Sequence, residues 1–157
     1  MAENTLEHRL LVLESIEAIR NLRCRYHELV NEDAGLQLYE LFAPDASVAY
    51  AGRAEVFGRE AIRDFFASFP VKWARQFVHN HVVQTDGKTG RGYCYLDGRP
   101  VMDGKSYYVV GRFDDEYVRV EDTWSFKRVV LTVHYMVQPG EGWNHHLPLR
   151  TTAEAPQ

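Results

Sequence analysis

Residues 106–120, SYYVVGRFDDEYVRV, are followed by Glu121-Asp122 and then by residues 123–137, TWSFKRVVLTVHYMV. Both runs are rich in Val, Tyr, Phe and Thr, side chains that fit a pleated surface. Ser106–Val120 and Thr123–Val137 therefore read as two long strands, and a two-residue polar break makes them antiparallel neighbours. Side chains alternate along a strand, so Tyr107, Val109 and Gly111 share one face, with Tyr108, Val110 and Arg112 on the other. Both faces are apolar or aromatic. One face packs on helices and the other needs a second cover, so a homodimer or homotrimer through the outer face is expected.

Upstream, Gln76–Gln84 and Gly90–Leu96 also read as strands, and Asp86-Gly87 and Asp97-Gly98 supply turn chemistry. Ser47–Tyr50 and Ala54–Phe57 read as two short strands around Ala51-Gly52-Arg53. Before Pro70 the period is mostly helical. Ser15 caps a segment in which Ile19, Leu22, Tyr26 and Leu29 recur at helical spacing, and Leu6, Leu10 and Leu13 form an upstream arm or extend the same helix. A short helix carries Leu38, Leu41 and Phe42 and stops before Pro44; a third runs from Arg59 to Ser68. Helices first and long strands last give an α+β fold, an antiparallel sheet over about three N-terminal helices, and exclude a doubly wound one.

At 157 residues the chain is expected to form one domain, with a core from about 13 to 143 and loose tails at Met1–Thr5 and Leu149–Gln157. The balance of 18 basic against 22 acidic side chains, 18 − 22 = −4, argues against nucleic acid as a partner. No apolar run approaches the roughly 20 residues of a membrane helix, and no signal peptide is seen. Cys24 and Cys94 read as separate core residues, which suits a reducing cytoplasm.

His79-Asn80-His81 is an H-x-H on a strand, with His134 available as a third ligand. The same spacing also makes a hydrogen-bonded pair at an interface, and no Cys-x-x-Cys or His-Glu-x-x-His accompanies it, so no metal is expected. Tyr26, Tyr50, Tyr93, Tyr95, Tyr107, Tyr108 and Tyr135 supply phenols that orient a polar ligand when they reach a pocket wall. Asp97 is a turn residue or a carboxylate at a pocket mouth. Arg112-Phe113-Asp114-Asp115-Glu116 is explained by solvated salt bridges, and His145-His146 receive no role. There is no phosphate loop and no G-x-S-x-G elbow.

Several segments in order resemble the SnoaL-like branch of the nuclear-transport-factor-2-like superfamily: Glu17-Ala18-Ile19-Arg20 with Arg25-Tyr26, Leu41–Ala46, Gly58–Arg63, Gly111–Tyr117 with Trp124, and Gln138–Trp143. The resemblance implies a cone, a curved sheet wrapped over the helices around an apolar pocket, with assembly through the outer sheet face. It also implies a cofactor-independent lyase, isomerase or cyclase acting by proton transfer on a small hydrophobic, oxygenated molecule. In the dehydratases and dehydrochlorinases of the family a strand histidine, oriented by a helix aspartate, is the base. Those positions match Gln76 and Asn31 here, and amides do not take up a proton near neutral pH.

Three routes follow from that departure. A register slip or bulge brings His79 or His81 inward. With the family phase kept, Gln76, Val78, Asn80 and Val82 face the pocket, and the proton moves through Asp97, roughly where bile-acid dehydratases carry an essential acid, or the enzyme relies on Tyr26 and binding geometry. Or the chain binds a ligand without transforming it. The candidate catalytic residues are Asp97, His79 and Tyr26; the candidate substrate contacts are Asn31, Tyr50, Gln76, Asn80 and Tyr95.

Overall fold

Thr5 starts the first helix: its hydroxyl accepts from the His8 amide at 3.1 Å, and helix α1 runs unbroken from Leu6 to Asn31. The structure, a computed structural model, describes residues 5–71 and 73–145, so Met1–Asn4, the expected C-terminal tail and His146 lie outside the described residues. The upstream leucines thus belong to the same helix as Ile19, Leu22, Tyr26 and Leu29, and Ser15 is a buried interior residue instead of a cap. Leu6, Leu10 and Leu13 are exposed, while the later stripe is buried.

A 3-10 turn, Gly35–Leu41, follows, and Phe42 opens strand β1 (Phe42–Tyr50) instead of closing a helix. Pro44 has no N–H to give a ladder, and it sits where the register of β1 shifts between Phe42 and Ser47. Then come β2 (Val56–Phe57), α2 (Arg59–Ala67), β3 (Trp73–Thr85), β4 (Thr89–Met102), β5 (Lys105–Ser106), β6 (Tyr108–Val120) and β7 (Thr123–Val137). The sheet runs β2-β1-β7-β6-β4-β3, with β5 added to β4. It is curved and unclosed, and the helices pack against it in the cone arrangement.

The sheet is mixed and not antiparallel throughout, because β1 pairs with β7 in parallel. No turn joins those two strands, so local patterning carries no sign of their direction. Asp97-Gly98 is a second correction: it lies inside β4, opposite Val110 and Val109 of β6. The chain reverses at Asp103-Gly104, where φ is 49° and 73°, the two positive values a tight hairpin turn needs.

One sheet face and the buried stripe of α1 form a single core in which Ile19, Tyr26, Leu96, Phe113 and Phe126 meet. Phe113 and Phe126 are almost fully buried, each contributing about 2 kcal/mol by removal from water. Cys94 joins this core, whereas Cys24 is exposed and not a core residue.

Strand β3 contains the irregularity that matters most for the site. His79 pairs with Tyr95 and Val82 with Tyr93, so three steps on β3 oppose two on β4. This is a β-bulge, and Asn80 takes φ 53° within it. The extra residue exchanges the faces: His79 stays exposed on the outer side, while His81 turns inward and reaches the Tyr117 hydroxyl at 3.1 Å. The two imidazoles therefore do not share a face. Asn80 and Val82, expected inward, are exposed.

Candidate active site

Two phenols define the floor of a pocket. Tyr26 comes from the buried stripe of α1 and Tyr50 from the end of β1, and their hydroxyls hydrogen-bond to each other. Aromatic edges hold both rings: Phe113 and Phe126 stand 6.0 and 5.9 Å from Tyr26, and Phe65 and Phe69 stand 5.5 and 5.7 Å from Tyr50. Burial pushes Tyr26 up to about 12. It raises Tyr50 well above the ordinary phenol range, with neighbouring Tyr26 adding to the effect. Both groups are protonated near neutrality and act as hydrogen-bond donors.

Gln76, facing inward from β3, stands beside them. Its backbone is clamped by the last residue of α1: Gln76 N–H donates to Asn31 Oδ1 at 2.7 Å, and Asn31 Nδ2 donates to the Gln76 carbonyl at 2.9 Å. The Asn31 amide thereby joins the end of the helix to the strand and is fully occupied in doing so. The side-chain Oε1 of Gln76 lies 3.1 Å from Nδ1 of His27, one turn before Asn31. Gly98 faces Gln76 across β4, where a Cβ would meet Val109 Cγ1 at 2.7 Å. Glycine lets Val109 pack at that point.

His27 is buried, and burial pushes its proton affinity well below that of an ordinary histidine, with the Arg23 cation adding to the effect. The imidazole is therefore neutral. Among the described residues its Nε2 has no partner, and neither does Nη1 of Arg23, four residues earlier on the same helix face. The rest of that guanidinium is satisfied. Nε and Nη2 of Arg23 reach Asp115 at 3.1 and 2.5 Å, and the Tyr117 hydroxyl donates to the same carboxylate at 2.8 Å. A polar string, Arg23–Asp115–Tyr117–His81, thus runs through the core.

The cavity above this floor has a volume of about 290 Å³. Tyr26, Tyr50 and Gln76 line it together with Val30, Leu38, Phe66 and Trp73. Asp33, just past α1 with φ 60°, also contributes to the lining; its side chain is half exposed, and Arg75 reaches its two carboxylate oxygens at 3.0 and 3.4 Å. A wider groove of about 880 Å³ runs over Tyr93, Arg112, Asp114, Glu116 and Arg128. Two of its cations are matched, Arg112 to Asp114 at 2.7 Å and Arg128 to Glu55 at 2.8 Å, and the buried Asp115 and Tyr117 it reaches are bonded to each other at 2.8 Å. The smaller cavity has the chemistry.

Of the residues singled out in the sequence, Tyr26, Tyr50 and Gln76 meet in this pocket and Asn31 stands behind Gln76. Asp97, His79, Asn80 and Tyr95 do not. Asp97 projects from the outer face of β4 and is ion-paired with Arg99. Tyr95 is on that face too, 6.4 Å from the His134 ring. The parity of β4 accounts for both, since Cys94, Leu96 and Gly98 take the inward positions. Asp115, expected among solvated salt bridges, is instead buried against Arg23.

Sequence reasoning missed His27 and Asp33. The stripe Ile19, Leu22, Tyr26 was traced through its apolar members, while Arg23 and His27 lie on the same helix face at i+4 spacing. A histidine four residues after an arginine beside such a stripe was the available signal. Asp33 left none, because its position depends on the turn that ends α1.

A SnoaL-like domain model matches residues 12–130. The structure is similar to that of LinA, at 18% sequence identity and a TM-score of 0.78 over 85% of this chain and 95% of that one. The hexachlorocyclohexane dehydrochlorinase LinA-type3 of Novosphingobium barchaimii gives 16% identity and a TM-score of 0.74, covering 82% and 92%. An NTF2-like protein with a cystatin-like fold from Novosphingobium aromaticivorans gives 25% identity and a TM-score of 0.71, covering 82% and 87%. No curated protein sequence matches the chain. Among the described residues no helix is long and apolar enough to cross a membrane. With the family model spanning 12–130 and the cone fold shared with these neighbours, the chain belongs to the SnoaL-like domain family.

Proposed function

We propose that the chain is a cofactor-independent enzyme that moves a proton on a small, mostly apolar, oxygenated molecule, as a lyase, isomerase or cyclase does. The observation that carries this is the Tyr26–Tyr50 pair, buried and hydrogen-bonded at the floor of a pocket whose lining includes Asp33. Of two phenols bonded to each other, one donates to the other and the second keeps its proton for the ligand. That donor meets the substrate oxygen, where negative charge develops when a neighbouring carbon loses a proton. Asp33 takes the proton and the electron pair moves to the held oxygen; phenol donors with an aspartate base are a known combination for such chemistry. Return of the proton to another carbon is isomerisation, and loss of a hydroxyl or halide from the adjacent carbon is elimination. Gln76 orients the substrate and Asn31 holds Gln76.

The test is proton exchange. With 2-tetralone in D2O and no added cofactor, the protein is expected to accelerate α-proton exchange over buffer, read by NMR. Tyr50→Phe or Asp33→Asn is expected to lower that rate about 100-fold. Exchange at the buffer rate with the ketone bound and recovered unchanged would overturn the reading. It would favour the alternative, a binding protein without turnover, which the amides at Asn31 and Gln76 support.

Assembly through the outer sheet face is part of the same proposal. Phe77, Val82 and Tyr108 are 53%, 40% and 38% exposed there. Light scattering at micromolar concentration is expected to give two or three times the chain mass, and Phe77→Lys to reduce it; a monomeric mass for the unaltered chain removes the idea.

A further inference from the structure

We propose that His27 fixes the orientation of the Gln76 amide, so that Gln76 presents its –NH2 beside the phenol proton and this end of the pocket favours a carbonyl oxygen over a hydroxyl. This rests on the 290 Å³ cavity being the ligand site and adds to it a positioning residue and a ligand class.

The Gln76 backbone is fixed first, both its N–H and its carbonyl being held by Asn31. Only the side-chain torsions and the choice of amide end remain. Oε1 lies at 3.1 Å from His27 Nδ1, so that nitrogen must donate and Nε2 must carry the lone pair. The environment of His27 favours this tautomer. Its Nε2 is buried without an acceptor, and the nearest cation is Arg23, whose Nη1 is itself a buried donor without a partner. An N–H at Nε2 would be buried unsatisfied beside a guanidinium, whereas a lone pair there is electrostatically favoured. The Arg23 charge and burial also keep the ring unprotonated, which preserves the difference between its two nitrogens.

With Oε1 committed to His27, the –NH2 of Gln76 is the free end of the amide at the cavity wall. It joins the remaining phenol proton of the Tyr26–Tyr50 pair. Two donors suit an oxygen with two lone pairs and no hydrogen. A hydroxyl in the same place can pass its proton only to a phenol oxygen, which then no longer donates to it, and this disfavours it about tenfold. Without His27 the amide turns over freely and its oxygen serves a hydroxyl ligand, so the preference disappears.

Two measurements test this on the full chain. In ¹⁵N-labelled protein at pH 7, the His27 ring is expected to show a protonated Nδ1 and an unprotonated Nε2; the opposite tautomer, or an imidazolium, overturns the proposal. Binding of 2-tetralone and 2-tetralol is then compared by calorimetry. The unaltered protein is expected to favour the ketone about tenfold. His27→Phe is expected to bring the ratio near one, and His27→Asn, which restores a donor near the Nδ1 position, to recover it. A ketone preference unchanged in His27→Phe overturns the proposal, as does the lack of any preference in the unaltered protein. Absence of proton exchange with the ketone preference intact would count against the enzyme reading alone.

Discussion

Replacing Arg23 with methionine is expected to cost the fold about 3–5 kcal/mol, enough to remove much of the stability of an ordinary domain. Arg23 is fully buried, and its two bonds to Asp115 tie the middle of α1 to β6. Its guanidinium also lies 4.4 Å from the Phe113 ring and 4.5 Å from the Phe126 ring, so its apolar faces are as well packed as its edges are bonded. Burial alone would lower its proton affinity, and Asp115 together with Tyr117, Cys94 and Tyr26 more than reverses that. Methionine fills much of the volume but leaves Asp115 buried with only the Tyr117 hydroxyl as partner. The cost is that of an uncompensated charge and not of lost attraction, since paired buried charges roughly break even against apolar residues of similar volume. Arg23→Met with Asp115→Leu is therefore expected to recover most of the loss. Urea unfolding midpoints measure both variants; a single variant as stable as the original chain, or a double variant less stable than the single, contradicts the account.

That ion pair marks the boundary of what the sequence made legible. Thr123–Val137 is a strand with the expected limits, because alternation, β-branching and flanking turn residues all act within it. The buried stripe of α1 was legible for the same reason. The parallel pairing of β1 with β7 was not, since strand direction there depends on how the whole sheet closes around the helices. A bulge that turns His79 or His81 inward was one of the routes the sequence left open, but its place was not legible: a single inserted residue leaves no compositional trace, and its position at Asn80 decides that His81 and not His79 turns inward. Tyr26, Tyr50, Gln76 and Asn31 were reached in part through the family resemblance, which locates positions along the chain. His27, Arg23 and Asp115 required the three-dimensional neighbourhood. On a helical or strand pattern a buried polar residue and an exposed one look alike until its partner, 92 positions away for Arg23, is known.

Lowering the pH from 7 to 5 is expected to destabilise the fold by about 2 kcal/mol through His27 and His81. Burial lowers His81 to about 4, with Arg23 and Arg20 adding to the effect, and burial with Arg23 and His81 holds His27 well below the ordinary range. Above about pH 6.5 both side chains are neutral in folded and unfolded chains, and they confer no pH dependence. Below it the unfolded chain takes up protons that the folded one refuses, so stability falls as pH falls. For each group the slope is at most about 1.4 kcal/mol per pH unit, less for half-buried His81 because solvent screens it. For His81 the decline ends near pH 4, where the folded form also becomes protonated. Asp115, raised by burial against the pull of Arg23 and Tyr117, acts in the opposite sense, so the comparison is made between variants at each pH. Urea midpoints at pH 7, 6 and 5 are expected to fall for the original chain and to fall less for His27→Asn and for His81→Gln. Equal slopes in all three proteins would assign the acid sensitivity to other groups. The imidazole that resists protonation is also the one bonded to Gln76, and because acid adds its proton at Nε2, the Nδ1–H bond to the Gln76 amide is kept in either charge state.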